Sequence, residues 1–205
     1  MTEAITTYCN CMEDVKRRIA VIRTVVSGQS PLGREDYDGE LVCLHLRKVL
    51  EQIAFASLSA HKDAYAQAHN DFATHWNAKR LLSKLQKVHP GFYPRPVRME
   101  GPDERGVKHL VDVTKAFLTK EDFVFLYDKA SEALHVWNPF KAPKQVINFE
   151  RSIAEWVERI CTLLNEHWIQ LYESEDVWFV QMIQPEDGKV HAYYSKAMPI
   201  DTLGL

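Results

Sequence analysis

The stretch from Gly39 to Ala60 constrains the fold of this 205-residue chain more than any other. Plotted on a helical wheel at about 100° per residue, it has one broad apolar face and more apolar side chains on the opposite side. The broad face consists of Val42, Leu46, Val49, Leu50, Ile53 and Ala56. A helix that is apolar nearly all round is covered by other elements on most sides. We therefore expect a central helix with further helices packed around it.

Two charged residues, Arg47 and Glu51, lie inside this apolar helix. They are one turn apart among leucine and phenylalanine side chains, so they can bond each other in a half-buried site. We predict that they form a structural polar pair rather than a catalytic one. Charges at these positions also argue against a membrane span, which needs about 20 predominantly apolar residues in succession.

Helical periodicity continues on both sides of the central helix. The first segment has apolar residues at alternating steps of three and four, which predicts a long amphipathic helix ending near Ser27-Gly28. An apolar stripe of this kind can pack on the central helix, or it can form the interface of a homodimer. Three further helices are predicted, from Thr74 to Pro90, from Thr119 to Asn138 and from about Asn148 to His167.

Two regions depart from this helical pattern. Residues 90–118 are proline-rich and irregular, with a short strand predicted over Val107–Val113. After His167 the apolar period changes to two, and a turn at residues 185–188 predicts a β-hairpin. A lone hairpin is only marginally stable, so it must either lie on the helices or recruit a third strand, which Trp168–Glu173 or Val107–Val113 could provide.

The predicted fold class is therefore mainly α: a helical bundle around a central apolar helix, with a C-terminal antiparallel β-hairpin or small sheet (α+β). Residues 1–167 would form the bundle, including the irregular proline-rich segment 90–118. Residues 168–205 would form a hairpin appendage packed on the bundle within the same domain.

Composition limits the functional classes. The net charge of −3 argues against a strongly basic nucleic-acid surface. Four cysteines are too few for a disulfide framework, and the Cys9-x-Cys11 pair lacks a second pair at zinc-site spacing. No metal or cofactor is predicted. The N-terminus has no apolar signal-peptide core, so a cytoplasmic location is expected.

One segment combines groups that could carry chemistry, Lys129 to Phe140. The helical pattern places His135 in the last turn of its helix, with Asn138 capping the exit and Lys129 one to two turns earlier. A structural interpretation suffices, because a histidine near a helix C-terminus is stabilised by the helix dipole and Asn-Pro ends a helix.

Two stretches, HLRKVLEQIA (45–54) and YDKASEALHVWNPF (127–140), resemble bacterial HEPN-like helical-bundle proteins. That superfamily includes RNA-cutting toxins, defence proteins and catalytically silent relatives. Its ribonuclease motif is an arginine, four to six residues, then a histidine, which match Lys129 and His135 here. The resemblance implies metal-independent RNA cleavage with His135 as general acid or base, Lys129 stabilising phosphorane charge and Asn138 orienting the imidazole or phosphate. Lysine lacks the planar fork of arginine, which argues against activity.

Three functions remain open at this stage. The favoured one is a protein-binding or regulatory module, of a bacterial defence or toxin–antitoxin type, with exposed aromatic anchors predicted at Trp178, Tyr193 and Tyr194. The second is the ribonuclease, acting on RNA. The third is a small-ligand or nucleotide sensor with a pocket between the central helix and the proline-rich segment. Candidate binding residues in that segment are Arg95, Arg98, Arg105, Lys108 and His109.

Overall fold

The computed structural model describes residues 3–62, 65–66, 77–136, 140, 146–172 and 176–196. Within these residues the fold is α+β, with five helices and one five-stranded antiparallel sheet. The helices are α1 (Glu3–Val26), α2 (Glu35–Ala60), α3 (Ala78–Val88), α4 (Lys120–Ala133) and α5 (Ile153–Leu164). The strands are β1 (Arg95–Met99), β2 (Leu110–Asp112), β3 (Glu166–Gln170), β4 (Asp176–Gln181) and β5 (His191–Lys196). No helix in this part of the chain is long and apolar enough to cross a membrane.

The two long helices, α1 and α2, pack along each other and form the centre of the core. Every residue predicted for the broad apolar face of α2 is buried, as are the α1 stripe residues from Ile5 to Ile22. Val26, the last residue of the predicted stripe, is exposed. Helices α3 and α4 also contact α2, so the expectation of a covered central helix is confirmed.

Helix α2 begins at Glu35, four residues before the predicted start at Gly39. Its first turn carries three acidic residues, which interact favourably with the positive end of the helix dipole. One of them, Asp38, is buried and accepts hydrogen bonds from the Ser30 hydroxyl and from the Leu32 backbone N–H. These bonds fold the preceding loop against the helix.

The sheet has the strand order β2-β1-β3-β4-β5, and all neighbouring strands are antiparallel. The predicted C-terminal hairpin is present as β4 and β5. Both segments considered for a third strand take part: β2 lies within Val107–Val113, and β3 overlaps the first three residues of Trp168–Glu173. Strand β1 was not predicted, and it joins β2 to β3. The predicted boundary between residues 167 and 168 therefore falls inside strand β3, and the sheet takes strands from both sides of it.

Three helix ends differ from the predictions. Helix α4 begins after Thr119 as predicted, where Thr119 and Asp122 form a capping box, but it ends at Ala133, before the predicted Asn138. Helix α5 begins at Ile153, where Ser152 caps the Glu155 N–H, and ends at Leu164. His167 was predicted on the helical stripe, yet it lies in β3 because its backbone pairs with Val180 of β4.

His167 is fully buried between the sheet and α1. Its Nδ1 lies 2.7 Å from the Leu164 carbonyl oxygen, which can only accept, so Nδ1 carries the proton. Its Nε2 accepts a hydrogen bond of 2.6 Å from the Tyr8 hydroxyl. Burial lowers the pKa of His167 from 6.5 to about 4, which keeps the ring neutral and both bonds satisfied near pH 7.

We predict that His167 makes the fold sensitive to acid. Because the pKa of the folded state lies below 6.5, the unfolded chain takes up the proton first as the pH falls. The stability that the neutral His167 ring contributes is complete above pH 6.5 and is lost progressively towards pH 4. The loss amounts to up to about 3 kcal/mol in the free energy of unfolding. Urea unfolding at a series of pH values between these limits measures it.

The matched variant for this prediction is His167→Gln, which keeps a donor and an acceptor but cannot titrate. Burial also lowers the pKa of His45, His61 and His89, and these residues are present in both proteins. The difference between the two pH profiles therefore isolates His167. Parallel profiles would show that His167 does not cause the acid sensitivity.

Candidate functional site

Two of the three residues of the predicted ribonuclease motif, Lys129 and His135, lie within the described part of the chain. Lys129 is half-buried in α4, and its Nζ forms an ion pair with Glu132 Oε2 at 3.0 Å. His135 is exposed and lies beyond the C-cap residue Leu134 rather than in the last helical turn. Its imidazole makes no hydrogen bond or ion pair with any described residue, and Asn138 lies outside the described residues. No hydrogen bond or ion pair joins Lys129 to His135 in the part of the chain that the structure describes.

The basic residues predicted for binding lie on the hairpin formed by β1, β2 and their connection. Two of the four full cations are ion-paired, Arg95 to Asp112 and Arg98 to Glu100, and the His109 ring bonds Asp103. Arg105 and Lys108 are exposed and have no ion pair among the described residues. The hairpin therefore carries two unpaired cations, both on the connection between the strands.

Asp103 organises this turn. Its carboxylate accepts hydrogen bonds from the backbone N–H groups of Arg105 and Val107 and from the His109 ring. The hydrogen bond from His109 is the largest contribution that lowers the pKa of Asp103. Gly106 has a φ of 77°, a left-handed conformation that glycine adopts without strain.

The three predicted aromatic anchors have different environments. Trp178 is only 4% exposed, so the prediction that it is a surface anchor is wrong. Its ring packs edge-on against Tyr8 of α1, with 5.9 Å between ring centroids. Tyr193 and Tyr194 on β5 are 39% and 62% exposed. The Tyr194 hydroxyl donates to the Asp176 carboxylate.

Tyr8 identifies the face of the sheet that lies against the helices, because it contacts both His167 and Trp178. Successive side chains of a strand point to opposite faces. Trp168 and Phe179, the next residues along β3 and β4, therefore lie on the face away from α1. Tyr193 shares that face, since it is directly opposite Phe179, whereas Tyr194 is opposite Trp178.

The strand register aligns four side chains in one line across this outer face. Arg95 is opposite Trp168, Trp168 is opposite Phe179, and Phe179 is opposite Tyr193. We call these four residues the aromatic row. The Arg95 guanidinium lies 5.1 Å from the centre of the Trp168 ring, and the Phe179 and Tyr193 rings stack with centroids 6.3 Å apart. The row thus crosses the four strands β1, β3, β4 and β5.

The centre of the outer face is apolar, although polar residues such as Glu166 and Gln181 lie on the same face. An antiparallel sheet of this kind commonly has polar side chains on its solvated face. Val97 and Val177 lie beside the aromatic row, and neither belongs to the main hydrophobic cluster. The indole Nε1 of Trp168 has no hydrogen-bond partner among the described residues. Both valines are buried, so contact with another surface would be made chiefly through the exposed ends of the row.

Trp168 and Phe179 were not among the functional residues predicted from the sequence. A signal was present, because β4 contains the uninterrupted apolar run Val177 to Val180. Such a run is typical of a strand with apolar side chains on both faces. Only the contacts of Tyr8 show which alternating pair faces the helices.

The predicted contact between Arg47 and Glu51 is present, with 3.0 Å between Nε and Oε1. The Tyr127 hydroxyl also donates to Glu51 Oε1 at 3.4 Å, and the Arg47 guanidinium lies 5.6 Å from the centre of the Tyr127 ring. The side chains of Arg47 and Glu51 are 39% and 22% exposed, so burial of the pair is incomplete.

One cavity of the molecule includes a residue of the proline-rich segment. This cavity of about 610 Å³ includes Phe92 of that segment, but the rest of its wall comes from α3 and α4. No group of three or more metal-binding side chains occurs within the described ranges. Comparison with known protein families, curated proteins and solved structures found no match to this chain.

We predict that Glu51→Gln lowers the free energy of unfolding by about 1 kcal/mol, a typical loss for a partly exposed hydrogen bond. The full 3–5 kcal/mol of a broken buried ion pair is not expected, because water reaches both side chains. A double-mutant cycle with Arg47→Met, measured by urea unfolding, gives the coupling energy. Unchanged stability of Glu51→Gln would contradict a structural role for the pair.

A second prediction concerns His135. Because the imidazole is exposed and lies past the helix end, we expect His135→Ala to change stability by less than about 0.5 kcal/mol. We also expect the purified protein to leave structured and unstructured RNA intact, since the Lys129 amine is held by Glu132. Cleavage by the native chain that is absent from both His135→Ala and Lys129→Ala would establish the ribonuclease instead.

Proposed function

We propose that this protein is a binding or regulatory module that recognises another protein through the aromatic row on the outer face of its sheet. The alignment of Arg95, Trp168, Phe179 and Tyr193 by the strand register carries this proposal. Arginine, tryptophan and tyrosine are the residues most enriched among those that dominate binding energy in protein interfaces. The row places one of each on the same face of the sheet.

The charge of the surface favours a protein over a nucleic acid. Proteins that stack bases on aromatic side chains combine them with a positively charged groove that follows the phosphate backbone. The row contains one cation, Arg95, and its charge is already matched by Asp112. The chain as a whole has a net charge of −3. An uncharged or mixed-charge protein surface is the better complement.

The members of the row would have different roles in such an interface. Phe179 is buried and forms the floor, while Tyr193 at the edge strand keeps 39% of its surface exposed for a partner. The Tyr193 hydroxyl accepts a hydrogen bond from Gln184 at 3.0 Å, which restricts the ring before binding. A ring held in place loses less conformational entropy on binding than a free one.

The biological setting proposed for the module is bacterial defence or a toxin–antitoxin system, on the basis of the HEPN-like resemblance. The partner would be a second protein of that system or a second copy of this chain. Sedimentation equilibrium across a range of concentrations separates these two cases, because only self-association changes the mass of the purified chain.

The test uses a photo-crosslinking amino acid in place of Tyr193, with Tyr194 replaced in the matched control. Tyr194 is adjacent in sequence and more exposed, but it lies on the opposite face. We expect a discrete adduct from position 193 and none from position 194. Equal adducts from both positions would contradict recognition by the outer face.

With the partner purified, we predict that Tyr193→Ser weakens binding by about 2 kcal/mol or more, the loss expected at a dominant interface residue. Tyr194→Ser should bind like the native protein. Arg95→Lys keeps the charge but lacks the planar guanidinium that lies over Trp168, so it should also weaken binding. Isothermal titration calorimetry measures all three. Native affinity in Tyr193→Ser would refute the proposed role of the row.

A further inference from the structure

A groove of about 590 Å³ lies on the other side of the molecule, between α1, the C-terminal end of α5 and the segment that follows β4. Most of the exposed surface of its wall is apolar, and Ile19, Leu164, Met182 and Ile183 contribute to it. The first three belong to the main hydrophobic cluster, so the groove opens directly onto the core. Its volume falls within the range of about 300–1,000 Å³ that is usual for small-molecule sites.

The wall of the groove is held in place by backbone contacts. The Met182 N–H donates to the Asn165 carbonyl at 2.9 Å, which fixes the segment after β4 against the end of α5. Ile183, the next residue, remains 61% exposed at the mouth. An exposed isoleucine beside an apolar groove extends the surface available to an apolar ligand.

The charged residues at the groove are both cations. Of the described residues that line it, only Lys16 and Arg23 carry a full charge. The Lys16 amine is engaged by the Gly188 carbonyl at 2.7 Å and by Glu13 at 3.2 Å. Arg23 instead pairs with Glu158 at 3.0 Å. The Arg23 and Glu158 side chains are 56% and 69% exposed, so their pairing is weak and a ligand carboxylate can replace Glu158.

We propose that this groove binds a straight-chain carboxylate of the fatty-acid type. The hydrocarbon chain would lie along Ile19, Leu164 and Met182, and the carboxylate would bind the Arg23 guanidinium at the mouth. Apolar burial supplies the driving force, and the cation selects an anionic head group over a neutral or cationic one. This site is separate from the aromatic row and does not depend on the protein-binding proposal.

Cys161 offers a direct measure of occupancy, because it lies in the groove wall with Arg23 Nη2 3.4 Å from its Sγ. The rate of its alkylation can be followed by peptide mass spectrometry, with Cys9 of α1 as the internal control outside the lining. Dodecanoate, dodecanol and dodecyltrimethylammonium are compared below their critical micelle concentrations. We expect dodecanoate to slow alkylation of Cys161 at least tenfold, dodecanol to slow it less and the cation to have no effect.

Two variants and one control test the predicted contacts by isothermal titration calorimetry. Arg23→Gln should bind dodecanoate no better than dodecanol, and Ile183→Glu should lose dodecanoate binding through repulsion at the mouth. Arg17→Gln is the matched control, since Arg17 is an exposed arginine of the same helix that does not line the groove. It should keep the preference for the carboxylate.

Several results would overturn the proposal. These are no protection of Cys161, equal protection by the anion and the cation, or equal slowing at Cys9 and Cys161, which would indicate a detergent effect. Protection by anionic phospholipid vesicles but not by free dodecanoate would assign the groove to a membrane surface instead. If Arg23→Gln still bound dodecanoate better than dodecanol, Arg23 would not be part of the binding site.

Discussion

Burial of the apolar surface of α2 determines where the other elements lie. Side chains such as Leu46, Leu50 and Ile53 are completely buried, and each contributes about 1.5–3 kcal/mol when it is removed from water. This gain requires cover on several sides, and α1, α3 and α4 provide it. The sheet must then pack outside this group of helices, where it meets α1 and the C-terminal end of α2.

Two histidines attach the sheet to the helices at opposite ends of β3. His167 bonds Tyr8 of α1, and the ring of buried His61, at the end of α2, lies 2.9 Å from the Gln170 carbonyl oxygen. Polar bonds in an apolar surrounding are directional and leave an unsatisfied group when they are broken. They therefore fix the orientation of β3, which is the middle strand of the sheet.

The outer face of the sheet follows from this attachment. Once His167 points towards the helices, Trp168 must point away, and the antiparallel register brings Arg95, Phe179 and Tyr193 into line with it. In the charged hairpin Arg95 is ion-paired, whereas Arg105 and Lys108 are exposed on the connection between the strands. In the other predicted segment Lys129 pairs with Glu132, and His135 is exposed past the end of its helix. We therefore favour the aromatic row, rather than the charged residues, as the candidate site.

The sequence by itself determined the elements whose signals are local. The period of α1, the apolar face of α2, the Thr119 capping box and the β4–β5 hairpin all depend on residues a few positions apart. Tertiary contacts decided the rest. His167 continues a helical stripe by spacing, yet pairing with β4 makes it part of a strand. Trp178 and Phe179 are both apolar, and a period of two assigns them to opposite faces without saying which face packs on the helices. Only the position of Tyr8, far away in sequence, made Trp178 a core residue and left Phe179 on the outer face.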